Sequence, residues 1–319
     1  MAAGRSTAIR RAWHDHGRIR WKAWYRDVRD RVFVCLIDLG RSLARRFGLE
    51  RMRRWVGRGA ALVAGRFGEP RRLALEHLAR ALPDLPPVAR ERVVQAMFDG
   101  LGRSVAEILL LDELARDLDR HVRVEGLDVM DQALAEGRGV IAITGHIGNW
   151  ELLAATFGLK GYPVTVVATP VKGERLNEMN IALRRSVNVD TLMRDGPGAS
   201  REILRTLRQG RILAILMDQN TRGQSAAVPF FGRLAPTPIG PAALSLRTGA
   251  VVVGVFIHRQ EDGSHVIRVS RPELPDRGAA AEMGKHAWRT EATARLTALI
   301  EAEVRARPDE WVWWHRRWG

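Results

Sequence analysis

The sequence predicts an α/β protein: a mostly parallel central sheet flanked by helices, with an N-terminal amphipathic helical region. Three observations lead there. No strand signal precedes His121; beyond it, short β-branched runs alternate with helical periodicity. Runs such as Val140 to Thr144 are apolar throughout, as in strands buried on both faces. With 319 residues, 46% of them apolar, the chain is long enough to bury a full core. The reading divides it into a basic helical, membrane-associating region over 1–115, packed on an α/β core over 116–319.

The elements follow in order. Arg20 to Phe47 and Arg51 to Phe67 are helically periodic, with Gly48 and Gly68 as breaks. Pro70 opens a short helix to Leu82, and Pro83 to Pro87 turns the chain into a helix over Val88 to Leu111. A first strand at His121 to Val124 precedes the Val140 strand. Asn149 is a good N-cap for a helix over Trp150 to Leu159. Strands at Pro163 to Ala168 and Thr191 to Met193 alternate with helices at Asn177 to Arg185 and Ala199 to Leu207. Gln209-Gly210 then turns into a buried strand at Ile212 to Met217. Gly223 to Pro236 reads as irregular, and Thr237-Pro238 as the N-cap and first-position proline of the next helix. Val251 to Ile257 is a strand with His265 to Val269 beside it as an edge. Asp276 to Gly284 is a flexible loop, and Lys285 to Arg305 a long closing helix.

The chemistry-bearing stretch is Gly139-Val-Ile-Ala-Ile-Thr-Gly-His-Ile-Gly-Asn-Trp-Glu151. It puts His146 on the turn after a buried strand and Glu151 in the first turn of the following helix. In an open α/β sheet that is the edge where ligands bind. Within one continuous helix, five steps of about 100° would turn the two side chains well apart. Gly145 and Gly148 give the turn freedom to fold His146 back toward Glu151. A carboxylate on one ring nitrogen fixes the tautomer and leaves the other nitrogen to take a proton, which makes a general base. The same residues also fit a blander reading, with Glu151 favouring the helix dipole and His146 a satisfied loop histidine. No metal is expected: the only cysteine, Cys35, is distant, and no second histidine stands at ligand spacing from His146.

Gly-His-Ile-Gly-Asn-Trp-Glu resembles the HxxxxD/E block of the glycerolipid-type acyltransferases, in the form found in the late acyltransferases of lipid A biosynthesis. Further blocks resemble that family in the same order. They are Met217-Asp218-Gln219-Asn220, Val228-Pro229-Phe230-Phe231-Gly232 with Thr237, Leu246 to Ala250, and Trp311 to Arg317. Mycobacterial phosphatidylinositol mannoside acyltransferases share these blocks. The resemblance implies transfer of a fatty acyl chain from an acyl carrier protein or coenzyme A thioester to a hydroxyl of a membrane glycolipid. A lipid A precursor is the first choice of acceptor and a phosphatidylinositol mannoside the second. No cofactor is implied.

By that resemblance His146 is the base and Glu151 its orienting partner. Asp218, at the end of the Ile212 strand, reaches the same sheet edge and supports the site or the acceptor; a local capping role is its alternative. Arg184 stands four residues before Asn188, where the family has glycine, and asparagine tolerates a left-handed turn. Arg185 is the neighbouring choice. Phe230 and Phe231 line an apolar channel for the acyl chain or fill the core. Trp311, Trp313, Trp314 and Trp318, with Arg316 and Arg317, make an interface anchor, an acceptor-phosphate site or core packing. A thioesterase using the same residues, and a non-catalytic membrane-binding protein, are the rival readings.

The net charge of +15 is lopsided. Residues 1–58 hold sixteen Lys and Arg against five Asp and Glu, with Trp13, Trp21, Trp24 and Trp55 interleaved. The longest apolar run there, Val32 to Ala44, is broken by Asp38 and Arg41 and falls short of the ~20 residues needed to span a bilayer. The pattern fits helices lying on an anionic membrane surface, peripheral or monotopic, at the cytoplasmic face of the inner membrane. A single cysteine and no visible signal peptide agree with that side. No zinc-finger spacing, RNP-type aromatic motif or helix-turn-helix pattern points to nucleic acid.

Overall fold

The computed structural model describes residues 31–318, apart from 33, 172, 222, 271, 272 and 274. Trp13, Trp21 and Trp24 therefore lie outside the described residues. Four helices come first: α1 (34–47), α2 (Leu49–Val63), α3 (Glu69–Ala81) and α4 (Pro87–Leu109). The chain breaks at Gly48 and Gly68, both at positive φ, as predicted. Helices α2 and α4 approach closely through two glycines. A Cβ on Gly102 would meet the Val56 carbonyl oxygen at 2.5 Å, and one on Gly57 the Asp99 carbonyl oxygen at 2.9 Å. Neither site has room for a side chain.

The remaining elements alternate: α5 (Leu111–Arg116), α6 (Leu118–His121), β1 (Val122–Glu125), α7 (Leu127–Ala135), β2 (Val140–Thr144), α8 (Trp150–Leu159), β3 (Val164–Ala168), α9 (Glu174–Arg185), β4 (Val189–Met193), α10 (Ala199–Arg208) and β5 (Ile212–Leu216). After them come β6 (Ser225–Phe230), β7 (Arg233–Pro238), α11 (Gly240–Thr248), β8 (Val251–Arg259), β9 (His265–Val269), α12 (Arg277–Glu282) and α13 (Lys285–Ala306). Seven strands form one sheet in the order β1-β9-β8-β2-β5-β3-β4, parallel except where β9 meets β8.

Alternate residues of β2 explain why its run is apolar throughout. Val140 and Ala142 pack under α7 and α8, whereas Ile141 and Ile143 join α3, α4, α13, Trp311 and Trp313 on the other face. Each face thus has its own core, and α3 and α4 form part of one of them.

Four local expectations are corrected. Residues 225–238 are a hairpin, β6–β7, rather than an irregular segment. Its two-residue loop is Phe231 and Gly232, both at positive φ, as a type I′ turn requires. Pro229, Pro236 and Pro238 hid the strand pattern, yet a two-stranded ribbon tolerates proline because each strand has a free edge. Thr237 is no helix cap: it is a buried β7 residue, and Pro241 takes the first-turn proline position of α11. β9 is not an edge, because β1 pairs beyond it. Finally, residues 277–282 are helical, capped by the Asp276 carboxylate accepting from Ala279 N–H at 2.9 Å.

Candidate active site

Strands β2 and β5 are neighbours in register, Thr144 opposite Leu216. Beyond their ends the chain departs in opposite directions. From β2 it enters α8, which covers one face; from β5 it enters the β6–β7 hairpin, whose Phe230 and Phe231 belong to the core on the other. A crevice opens where adjacent strands diverge in this way. His146 and Asp218 each stand two residues past their strand, one on either side of it.

Their contact organises the site. His146 Nδ1 lies 2.9 Å from Asp218 Oδ1. A carboxylate only accepts, so the ring donates from Nδ1 and carries its lone pair on Nε2. The His146 backbone N–H donates to Asp218 Oδ2 at 2.8 Å, and the Trp311 indole N–H donates to the same oxygen at 2.7 Å. Asp218 is 1% exposed. Burial alone raises a carboxyl's pKa, but the His146 charge and the hydrogen bonds from His146 and Trp311 outweigh it and hold the group well below the usual carboxylate range.

Gln219 follows on the same loop. Its amide nitrogen lies 3.2 Å from His146 Nε2 and 2.8 Å from His315 Nε2. Burial, reinforced by the nearby His146, pushes His315 down to about 4, so its ring is neutral and accepts from the amide.

Glu151 lies in the first turn of α8, where Asn149 caps the helix by accepting from Leu152 N–H at 3.1 Å. The contact expected between Glu151 and His146 is not the one formed. Arg184 grips the Glu151 carboxylate with its fork, Nε to Oε2 at 2.9 Å and Nη2 to Oε1 at 2.5 Å. The reason lies in the turn. Gly148 has φ +56, and Ile147 is buried and bridged to Trp311, while the His146 ring meets the acid beyond β5. A Cβ on Gly148 would meet the Ile257 carbonyl oxygen at 2.4 Å, so the turn passes β8 too closely for any other residue. Asn188 does adopt the left-handed conformation expected of it, at φ 60.

His146, Glu151, Arg184 and Gln219 share the wall of a cavity of about 630 Å³. Ala154, Val166, Ile181, Ile203, Ile215 and Ile239 also line it, together with the polar Asn177, Asn180, Ser200 and Gln224. Phe230 and Phe231, expected in such a channel, are core residues instead. Phe230 packs on Trp311 with ring centroids 5.6 Å apart, Phe231 on Trp313 at 5.8 Å, and neither borders the cavity. Arg317 and Arg305 cover their outer faces. The C-terminal tryptophans Trp311 and Trp313 pack in that same core.

A second polar group supports the turn from behind. Asn149 Nδ2 donates to the buried Glu107 at 2.8 Å, which also binds Arg53 and Arg259. Burial would raise this carboxyl, but His265, Arg259 and Arg53 bring it down to about 2. Gln219, His315 and Glu107 were not singled out from the sequence, and Trp311 was weighed as an anchor, an acceptor-phosphate site or core rather than as a donor to Asp218. Gln219, Trp311 and His315 did lie inside the family-like blocks, whereas nothing local marked Glu107.

The fold and site define an α/β protein with a histidine–carboxylate pair at the switch point of its sheet, beside a partly apolar cavity. The chain belongs to the bacterial lipid A biosynthesis acyltransferase family, whose model matches residues 34–319. It is 31% identical over 195 residues to a phosphatidylinositol mannoside acyltransferase of Mycobacterium tuberculosis, covering 59% of this chain and 61% of that one, under two thirds of its length. To the lipid A biosynthesis palmitoleoyltransferase of Escherichia coli it is 26% identical over 251 residues, 77% of each chain. The lipid A biosynthesis lauroyltransferase of the same organism is 23% identical over 271 residues, 82% of this chain and 83% of its own.

Proposed function

We propose that this protein is an O-acyltransferase that moves a fatty acyl chain from an acyl carrier protein or coenzyme A thioester to a hydroxyl of a membrane glycolipid. The observation that carries the reading is His146: one ring nitrogen is tied to a buried carboxylate and the other borders a partly apolar cavity. The acceptor hydroxyl displaces the Gln219 amide from Nε2. As its oxygen attacks the thioester carbonyl carbon, its proton passes to Nε2. Collapse of the tetrahedral intermediate breaks the C–S bond, and the imidazolium returns the proton to the departing thiolate. Asp218 keeps the ring in the required tautomer and stabilises its charged form. Arg184, steadied by Glu151, supplies positive charge at the same cavity wall, where an oxyanion or an anionic substrate group gains from it. The apolar walls shelter the acyl chain, each methylene contributing about 0.8 kcal/mol on leaving water.

A lipid A precursor is the acceptor we favour, in line with the family, and a phosphatidylinositol mannoside the second, in line with the mycobacterial relative. No helix among the described residues is long and apolar enough to cross a membrane. Leu36, Leu39 and Leu43 on α1 and Trp55 on α2 are exposed, and Arg46, Arg51, Arg54 and Arg58 lie among them. Such a surface suits peripheral attachment to an anionic leaflet, on the cytoplasmic face of the inner membrane. The test is thiol release from acyl thioesters with parallel mass spectrometry of the lipid acceptor. Wild-type protein adds one acyl group, and His146→Ala loses transfer by about 10³-fold or more while remaining folded. Free fatty acid without acylated lipid would make the protein a thioesterase, and no thiol release from any thioester would make it non-catalytic.

A further inference from the structure

We propose that Trp311 is a positioning residue of the His146 site: its indole N–H fixes the carboxylate of Asp218 that orients the imidazole. The inference rests on His146 being the base. Asp218 Oδ2 receives two donors, the His146 backbone amide and the indole, so Oδ1 is left to the ring nitrogen. Without the indole, Oδ2 keeps a single donor. The carboxylate is then held less firmly about its last torsion, and with fewer donors it attracts the ring proton more strongly. Packing alone does not call for this arrangement. Trp311 fills its place among Trp313 and Phe230 with its ring, which a phenylalanine would largely reproduce without the N–H.

The segment that carries the indole is also hydrogen-bonded to the turn that carries the imidazole. Gly148 N–H donates to Glu310 O at 2.9 Å, and Val312 N–H to His146 O at 3.2 Å, with Ile147 and Trp311 bridged between them. Indole and imidazole are therefore placed by one short antiparallel contact, and both meet the carboxylate that follows β5. Glu310 is anchored in turn by His258 Nδ1 at 2.8 Å and Arg307 Nη2 at 2.9 Å. The charged and titratable groups near the His146–Asp218 pair are Glu151 from α8, Arg184 from α9, His315 and Arg317 from the C-terminal segment, and His77 from α3 beyond His315. Among the described residues, the Asp218 carboxylate takes its hydrogen bonds from His146 and Trp311.

The experiment compares Trp311→Phe with His146→Ala and wild type, using C12 to C16 acyl-coenzyme A thioesters with a glycolipid acceptor, and follows thiol release across pH. Trp311→Phe is expected to lower kcat about tenfold with little change in KM, as loss of one hydrogen bond to a charged group implies. The acidic limb of its rate profile moves upward by about half a pH unit or more, because a more basic Asp218 favours the protonated ring. The downfield proton resonance of the His146 Nδ1–H shifts as well, a readout independent of turnover. Where Trp311→Phe does not fold, benzothienylalanine at position 311, which replaces the N–H by sulfur in the same shape, carries the same expectations. An inactive His146→Ala beside a Trp311 variant with unchanged kcat, pH profile and resonance would overturn the proposal and spare the reading of His146. Undiminished transfer by His146→Ala would sink that reading instead, while a shifted resonance would still place the indole on the carboxylate.

Discussion

His146, two residues past β2, and His258, near the end of the neighbouring parallel strand β8, both bind carboxylates. Their surroundings differ in one respect. His146 gives Nδ1 to Asp218 and turns Nε2 toward the cavity, with only the neutral Gln219 amide against it. His258 gives Nδ1 to Glu310 at 2.8 Å and Nε2 to Glu303 at 2.7 Å, and is 3% exposed. Burial would lower its pKa, yet the two glutamates raise it to about 9. A histidine held at both nitrogens is a fixed cation that clamps α13 and Glu310 to β8. One held at a single nitrogen keeps a site for a travelling proton. The number of carboxylates separates the His258 clamp from the base we propose at His146.

Asp218→Asn attacks the comparison at its strongest point. Removing the charge while keeping the shape should lower kcat by about 10³-fold, read as initial rates of thiol release with circular dichroism unchanged. A rate near wild type would make Asp218 a structural acid like those around His258. His258→Gln is the converse. It takes the shared cation from Glu303 and Glu310, leaving Glu310 with Arg307, and should destabilise the fold by about 3 kcal/mol in urea titration. Its loss of transfer per folded molecule should be far smaller than that of Asp218→Asn.

The smallest effect is on pH. A pKa raised from the ordinary 6.5 to about 9 means that the folded state binds the His258 proton more tightly than the unfolded chain. Its stabilisation is complete below about pH 6.5, declines as pH rises, and is gone above about pH 9. Wild type should lose about 2–3 kcal/mol relative to His258→Gln between those limits. Parallel slopes for the two proteins would remove the clamp from the account.

Much of the scaffold was legible. The unbroken β-branched run of β2 gave away a strand with two buried faces, Asn149 announced α8, and Asn188 carried a left-handed turn as its chemistry allows. What escaped depends on contacts distant in sequence. Asp218 was expected at the same edge as His146, but its bond to the ring required knowing that β5 lies directly beside β2, 72 residues away. Local spacing instead favoured Glu151, which turned to the fork of Arg184. The β6–β7 hairpin was hidden by prolines that break a helix and most strands but not an isolated ribbon. In α12, a short alanine-rich turn beginning next to Gly278 gave too little periodicity to outweigh its flanking glycine and proline.

All the sheet strands precede residues 308–318 in the chain, and this order has a consequence for synthesis. A ribosome that has delivered every strand has not yet delivered the Trp311 indole or the backbone partners that tie down residues 146–148. An emerging polypeptide therefore carries an unfinished centre however well its sheet has formed. His146 and Asp218 gain their last partners only when that strap is laid in place.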